Sequence, residues 1–407
     1  MPIRWKHSSR FDPSVVLRKI DAARTVNPEG GASFSGFDWE ECLPALHSML
    51  QMPPAALEVD SSHLVWRALT QVRGALNPTN FLAATNSELS ALLATREEQY
   101  RLLTTISVRR DHLPGSVSSQ GASIRFLKTA FPSKFNARSQ LIEKHPAGIR
   151  DTPAAYCPLI ISLKAKSPTA AVNKALRAVD LQRALWCLMA NPRMQISFGS
   201  TAMDPINVVR LGGYHTLHHQ DGSPAGDGLW FEPGFVPSYA LVFSKPAIVR
   251  KNTQWALRRL AVSKYKDELV SAMVRYARAF DEWDSNTAFI RLWSALESLV
   301  TPGFADYERL VRRCAFLFQE GDFHRQMLEH LREYRNDSVH SGELSDRARI
   351  LCYQLQLYFG ALIWFHLRNA SFFLSLEEAN RFLDSPADAG QIRRQLQLAR
   401  KALGFLR

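Results

Sequence analysis

The 407-residue chain is 46% hydrophobic and 22% charged, a composition that suits soluble domains with real cores, and it is longer than the ~250–300 residues one core usually spans, so two domains are expected. Its net charge of +12 and pI near 9.6 favour a polyanionic partner, RNA or DNA, through phosphate neutralisation. Five scattered cysteines (Cys42, Cys157, Cys187, Cys314 and Cys352) argue against a disulfide framework or a cysteine zinc site, no run reaches the ~18 apolar residues of a membrane span, and "MPIRWKHSSR" lacks a signal-peptide core; a cytoplasmic protein with no membrane partner is expected.

Residues 1–100 read as mostly helical, with candidates at 13–25, 40–50, 60–74 and 86–101 between loops such as "NPEGGASFSG" and "QMPPAA". Strands are expected at 102–110, 122–129 and 158–166, where apolar residues alternate around turn-forming stretches. A long amphipathic helix follows at 167–190, with Ser167 placed to cap it and Pro168 at its first position. Short strands are expected at 194–199, 206–212 and 229–234. After about residue 244 the strand signals stop and helical periodicity returns at 246–262, 264–282, 285–300, 306–319, 323–340, 345–368, 375–384 and 388–404. The apolar stretch "LYFGALIWFHL" (357–367) reads as a buried helix. The reading is an α+β N-terminal region, 1–244, followed by an all-α bundle, 245–407. Cut at residue 244, the chain has 25 Lys+Arg and 19 Asp+Glu on each side, so no basic tail localises the partner.

"EYRNDSVHSGE" (333–343) carries the densest chemistry. It falls at the end of the 323–340 helix, with Gly342 placed as a left-handed cap and Ser345 as the cap of the next helix. Arg335 and His340 are about 140° apart around the axis and about 7.5 Å along it. They do not share a face, so the arginine must curl across or a second subunit must complete the set. Histidine moves protons near neutrality. Arginine stays cationic and forks onto phosphate oxygens. Asn336 can bond a phosphate or hold the imidazole. Together they suit cleavage of an RNA phosphodiester by its own 2′-hydroxyl, with no metal. The plainer alternative is that Arg and His simply complement the dipole at a helix end.

The same residues resemble the HEPN superfamily, whose mark is often written R-N-x-x-x-H. Arg335, Asn336 and His340 match it, and Gly342 matches a glycine that often follows. "AFIRLWSALESLV" (288–300) looks like the helix that carries an acidic residue in ApeA-like HEPN proteins, with Glu297 in that place. The resemblance is specific over about 285–366 and extends more loosely over 245–404. The strand, long helix and strands of the N-terminal half resemble the leader region of large ApeA-like proteins. The resemblance implies an all-α HEPN-type bundle and a metal-independent endoribonuclease, with Arg335, Asn336, His340 and Glu297 as site residues. It also implies a homodimer with facing motifs, and a toxin, abortive-infection or antiviral defence role in which a phage-derived or protein trigger acts on the N-terminal region. Two alternatives stay open: a catalytically silent bundle that binds RNA or protein, and a HEPN partner of a nucleotidyltransferase.

Other sets are weaker. "GYHTLHHQDG" (213–222) holds His215, His218, His219 and Asp221, but strand geometry puts His218 on the opposite face from the other two histidines, and a solvated hairpin is expected there rather than zinc. Glu297, if buried, needs a partner, with Arg335 or Arg312 as candidates. "RLVRR" (309–313) reads as a phosphate-contacting or solvated face. No G-x-G-x-x-G, Walker A or H-E-x-x-H motif occurs, and no cofactor or metal is expected.

Overall fold

The computed structural model describes residues 2–7, 10–27, 31–37, 39–53, 56, 59–144, 152–194, 204–226, 228–303, 306–340, 347–386 and 388–406, and at His340 the backbone alone. The chain begins with β1 (Arg4–Trp5), α1 (Pro13–Ala23), β2 (Arg24–Val26), β3 (Ala32–Phe34), α2 (Cys42–Met49), β4 (Leu50–Gln51), α3 (Ser61–Gln71) and α4 (Pro78–Ala94). Asp12, Asp60 and Asn77 cap α1, α3 and α4 by accepting from first-turn amides. Pro13 and Pro78 sit at helix starts, where a missing N–H leaves nothing unpaired. Leu17, Ile20, Leu46, Leu64, Leu69 and Phe81 close a core that belongs to this segment alone. The helix expected at 86–101 starts earlier and ends at Ala94. The Asn77–Pro78 start signal sets its beginning, and from Glu98 the chain is already extended.

Next come β5 (Glu98–Ile106), β6 (Ser116–Ser119), β7 (Ala122–Phe126), α5 (Ala137–Lys144), β8 (Cys157–Ala165), α6 (Pro168–Ala190), β9 (Tyr214–His219) and β10 (Trp230–Phe231). The six strands form one antiparallel sheet in the order β10-β9-β5-β8-β7-β6. In the central register Leu102 faces both Ile161 and Leu217, and these three point toward α6. Leu103 and Ile160 point the other way, onto Phe135. Helix α6 begins as its sequence requires, with Ser167 accepting from the Ala170 amide and Pro168 in the first turn.

Two strand expectations need correction, and a third is untested. Residues 206–212 form bends with one isolated bridge, between Leu211 and Ile106. The expected 229–234 strand shrinks to Trp230–Phe231, and the 194–199 segment lies outside the described residues beyond Met194. The stretch read as a solvated hairpin is the interior strand β9, where His215 and His218 are 1% and 0% exposed. Its edges pair with β5 and β10, and its two faces are covered, with Leu217 in the core toward α6 and His218 against the Phe135 ring.

From residue 246 onward the described elements are helical: α7 (Pro246–Val262), α8 (Lys266–Ala279), α9 (Ser285–Val300), α10 (Tyr307–Ala315), α11 (Gly321–His340), α12 (Ala348–Arg368), α13 (Leu376–Leu383) and α14 (Ala389–Leu403). Gly342 and Ser345, expected to punctuate α11 and α12, lie outside the described residues. As a whole α12 is long and apolar enough to cross a membrane, which the shorter apolar stretch noted in the sequence is not, but it is 61% buried among its neighbours. The architecture is therefore an α+β mix.

The change of element type near residue 246 is not a break in packing. One continuous core joins the inner face of the sheet, α6 and the helices α7 to α13. Helix α6 packs on the sheet on one side and on α8 on the other, and this is why most of its second half is buried around the whole circumference.

Candidate functional site

Three helices assemble the motif. Asp284 caps α9 through the amides of Asn286 and Thr287. Its apolar residues Phe289, Leu292, Trp293 and Leu296 then face inward at three- and four-residue steps. Helix α11 lies against α9, where the Tyr334 hydroxyl donates to Asn286 Oδ1 and the Tyr334 ring meets Phe289 at 4.8 Å, edge to face. Helix α10 packs on both, and Asp306 caps it by accepting from the Arg309 amide.

On this frame Arg335, Asn336 and Ser338 are half-buried on the last turns of α11, and His340 is its final residue. The Arg335 guanidinium carbon stands 4.8 Å from the centroid of the Tyr307 ring. Its Nη1 donates to Asn336 Oδ1 at 3.4 Å. Behind the ring, burial pushes the Tyr307 hydroxyl above its ordinary pKa. The Glu297 charge and the hydrogen bond to Glu297 add to that push, while Arg335 opposes it. The helices thus join a carboxylate and a guanidinium through one phenol, whose hydroxyl meets Glu297 and whose ring meets Arg335.

Glu297 does not form the expected ion pair with either arginine. Arg335 meets the ring rather than the carboxylate, and Arg312 is committed to Asp384 at 2.7 Å. One Glu297 oxygen, Oε1, is buried without a hydrogen-bond partner, as are Trp293 Nε1 and Ser338 Oγ. In the "RLVRR" run Arg309 and Arg312 are exposed, as expected of a solvated face, but the third arginine departs from that expectation. Arg313 is 7% exposed and forks onto Asp384 while donating to the Val300 carbonyl. It ties α10 to the end of α13 and offers nothing to solvent.

Sequence reasoning missed Tyr307, because nothing in an Asp-Tyr helix start signals a cation above the ring. It also missed a buried polar network where the sheet meets the helices. Neutral His215 accepts at Nδ1 from Thr104 Oγ1 at 2.7 Å and donates from Nε2 to Glu232 Oε1 at 2.9 Å. Burial lowers the His215 pKa against the pull of Glu232. Arg278 bridges Glu232 and Asp180, both at 2.6 Å. Arg183, fully buried, bonds Asp180 at 2.7 Å and Asp281 at 2.8 Å. Burial would raise the Glu232 carboxyl, but the His215 bond and the Arg278 charge hold it well below the usual carboxylate range. The available signal was Asp180 and Arg183 at i and i+3 amid an apolar helix. Every charge in this set has an internal partner, so the set reads as a structural clamp.

His218 is satisfied by the Gly222 carbonyl and the Thr216 hydroxyl, and His219 is a separate, partly exposed residue near Glu98. Among the described residues no group of three or more His, Cys, Asp or Glu side chains could hold a metal ion. Compared with models of protein families, with curated proteins and with solved structures, the chain gives no match.

Proposed function

We propose that the chain is a metal-independent endoribonuclease of the HEPN type, acting as a defence or toxin effector, with Arg335, Asn336 and His340 at the reacting phosphate. The supporting observation is the Arg335 guanidinium, half-buried on the Tyr307 ring with Asn336 beside it, at the end of a helix closed by His340. In this reading the 2′-hydroxyl of the RNA attacks its own phosphate. His340 assists proton transfer, and Arg335 binds the charge that builds on the phosphorane oxygens. Asn336 shares the phosphate or steadies the imidazole. The offset between Arg335 and His340 on one helix is resolved by a homodimer with facing motifs, a two-fold arrangement being the commonest closed assembly. The sheet and the N-terminal helices would then receive the trigger.

The test is cleavage of total RNA in EDTA, with mapped product ends. The expected products carry a 5′-hydroxyl and a 2′,3′-cyclic phosphate, and His340→Ala and Arg335→Ala each abolish them. Activity that disappears in EDTA, or that survives both substitutions, sinks the proposal. A second reading, a silent HEPN-like bundle that binds RNA or a protein, draws on the missing contact between Glu297 and Arg335. It predicts RNA retention without cleavage, weakened by Arg335→Ala.

A further inference from the structure

Helix α14 is the one long element whose residues, among those described, are all exposed. Every position from Asp388 to Leu406 faces solvent, and none of its side chains enters the core. Its sequence is nonetheless patterned for burial. Ile392, Leu396, Ala399 and Leu403 recur at i, i+4, i+7 and i+11, within roughly a 60° arc. Leu396 and Leu403 are 51% and 64% exposed. A free helix of this length is marginal in water, and an uncovered apolar stripe calls for a cover.

The charges say what kind. Residues 389–407 hold five of the chain's cations, among them Arg393, Arg394, Arg400 and Lys401, and no Asp or Glu. Arg393 and Arg400 fall at the edge of the stripe, about 80–100° from Ile392, while Arg394 and Lys401 lie opposite. The rest of the chain is net positive too, so a second copy would meet this helix with like charge. RNA would satisfy the cations and leave the apolar stripe bare. An anionic lipid surface satisfies both, since apolar side chains enter the acyl boundary while flanking cations rest among headgroups.

We propose that α14 is an interfacial helix that docks the protein onto an anionic lipid bilayer. Such a helix lies on the membrane and does not span it. Full-length protein is sedimented with vesicles of mixed phosphatidylglycerol and phosphatidylcholine, and with phosphatidylcholine alone, at low and high salt. At least about tenfold stronger binding to the anionic vesicles, weakening with salt, is expected. Arg393→Gln with Arg400→Gln lowers it on the order of twentyfold, because each cation near such a surface is worth roughly fivefold. Leu396→Glu with Leu403→Glu abolishes it, and because both leucines are exposed the melting curve stays unchanged. Equal binding to both vesicle types overturns the proposal, as does undiminished binding of the leucine variant. So does a wild type that ignores vesicles, whether it dimerises through these leucines in light scattering or loses only RNA with the arginines.

Discussion

Replacing Tyr307 separates positioning from stability. The ring holds the Arg335 guanidinium at 4.8 Å, and both partners are half-buried, so the contact lies between the exposed and desolvated limits of cation–π pairs, about 1 kcal/mol. Arginine also carries about 2 kcal/mol of rotamer entropy, part of which the ring suppresses. Tyr307→Leu removes both effects, and RNA cleavage under single-turnover conditions should fall roughly five- to thirtyfold in kcat/KM. Tyr307→Phe keeps the face and loses only the hydroxyl. Glu297, with Oε1 already unpartnered, then loses its remaining bond, at a cost of about 1–3 kcal/mol in stability. The phenylalanine variant should therefore melt earlier yet cleave nearly as wild type, while the leucine variant should do both badly. Equal cleavage by Tyr307→Leu and wild type would refute the reasoning, and so would equal losses in the two variants.

Arg183→Met removes the fully buried guanidinium that joins buried Asp180 to half-buried Asp281, leaving Asp180 with Arg278 alone and Asp281 with Asn207. A loss of about 3–5 kcal/mol is expected by urea denaturation, and an unchanged midpoint would contradict it. Burial lowers His366 from 6.5 to about 3, with Tyr265 its neighbour at 3.1 Å. Its folded pKa is depressed, so its contribution is full above pH 6.5. That contribution falls by about 1.4 kcal/mol per unit as pH drops from there toward 3, where the unfolded chain alone binds the proton. His366→Leu should flatten that slope between pH 7 and 5, and an identical slope in the variant counts against the assignment. Glu297→Gln, which keeps the shape and removes the charge, should lower cleavage without an early melt if the Glu297 charge acts on Arg335 across the ring rather than through the Tyr307 hydroxyl. Full activity in that variant removes Glu297 from the site.

The helices after residue 246 were legible because each pairs a three-and-four apolar rhythm with a local stop or start. Phe289 to Leu299 shows the rhythm, and Asp284, Ser375 and Asp388 supply side-chain caps. Strand β9 was not legible. Its histidines look like solvent residues in the sequence, and their burial is tolerable because Thr104 and Glu232 reach His215 from elsewhere in the chain while Gly222 and Thr216 satisfy His218. The same cause hid the role of Tyr307. The residue types at 335, 336 and 340 announce themselves, whereas a ring under a guanidinium exists only once α10 and α11 have packed. Arg313 misled for the reverse reason, since a cation in an arginine-rich run reads as surface until Asp384 is seen to collect it.

The core shared by the sheet, α6 and the helices has a practical corollary for dissecting the chain. Residues 245–407 expressed alone would present Tyr276 and Met273 of α8 without α6. They would also lose Asn191, which joins Tyr276 and Gln356 through 3.1 Å bonds. Such a fragment should be insoluble, and its inactivity would say nothing about the motif. The first ninety-odd residues are different, since their apolar residues close on one another, and the informative truncation falls just before β5. A small molecule that tightens the sheet would raise the melting temperature of the motif helices by linkage, which lets a thermal-shift screen on the intact chain find a trigger without any assay of RNA.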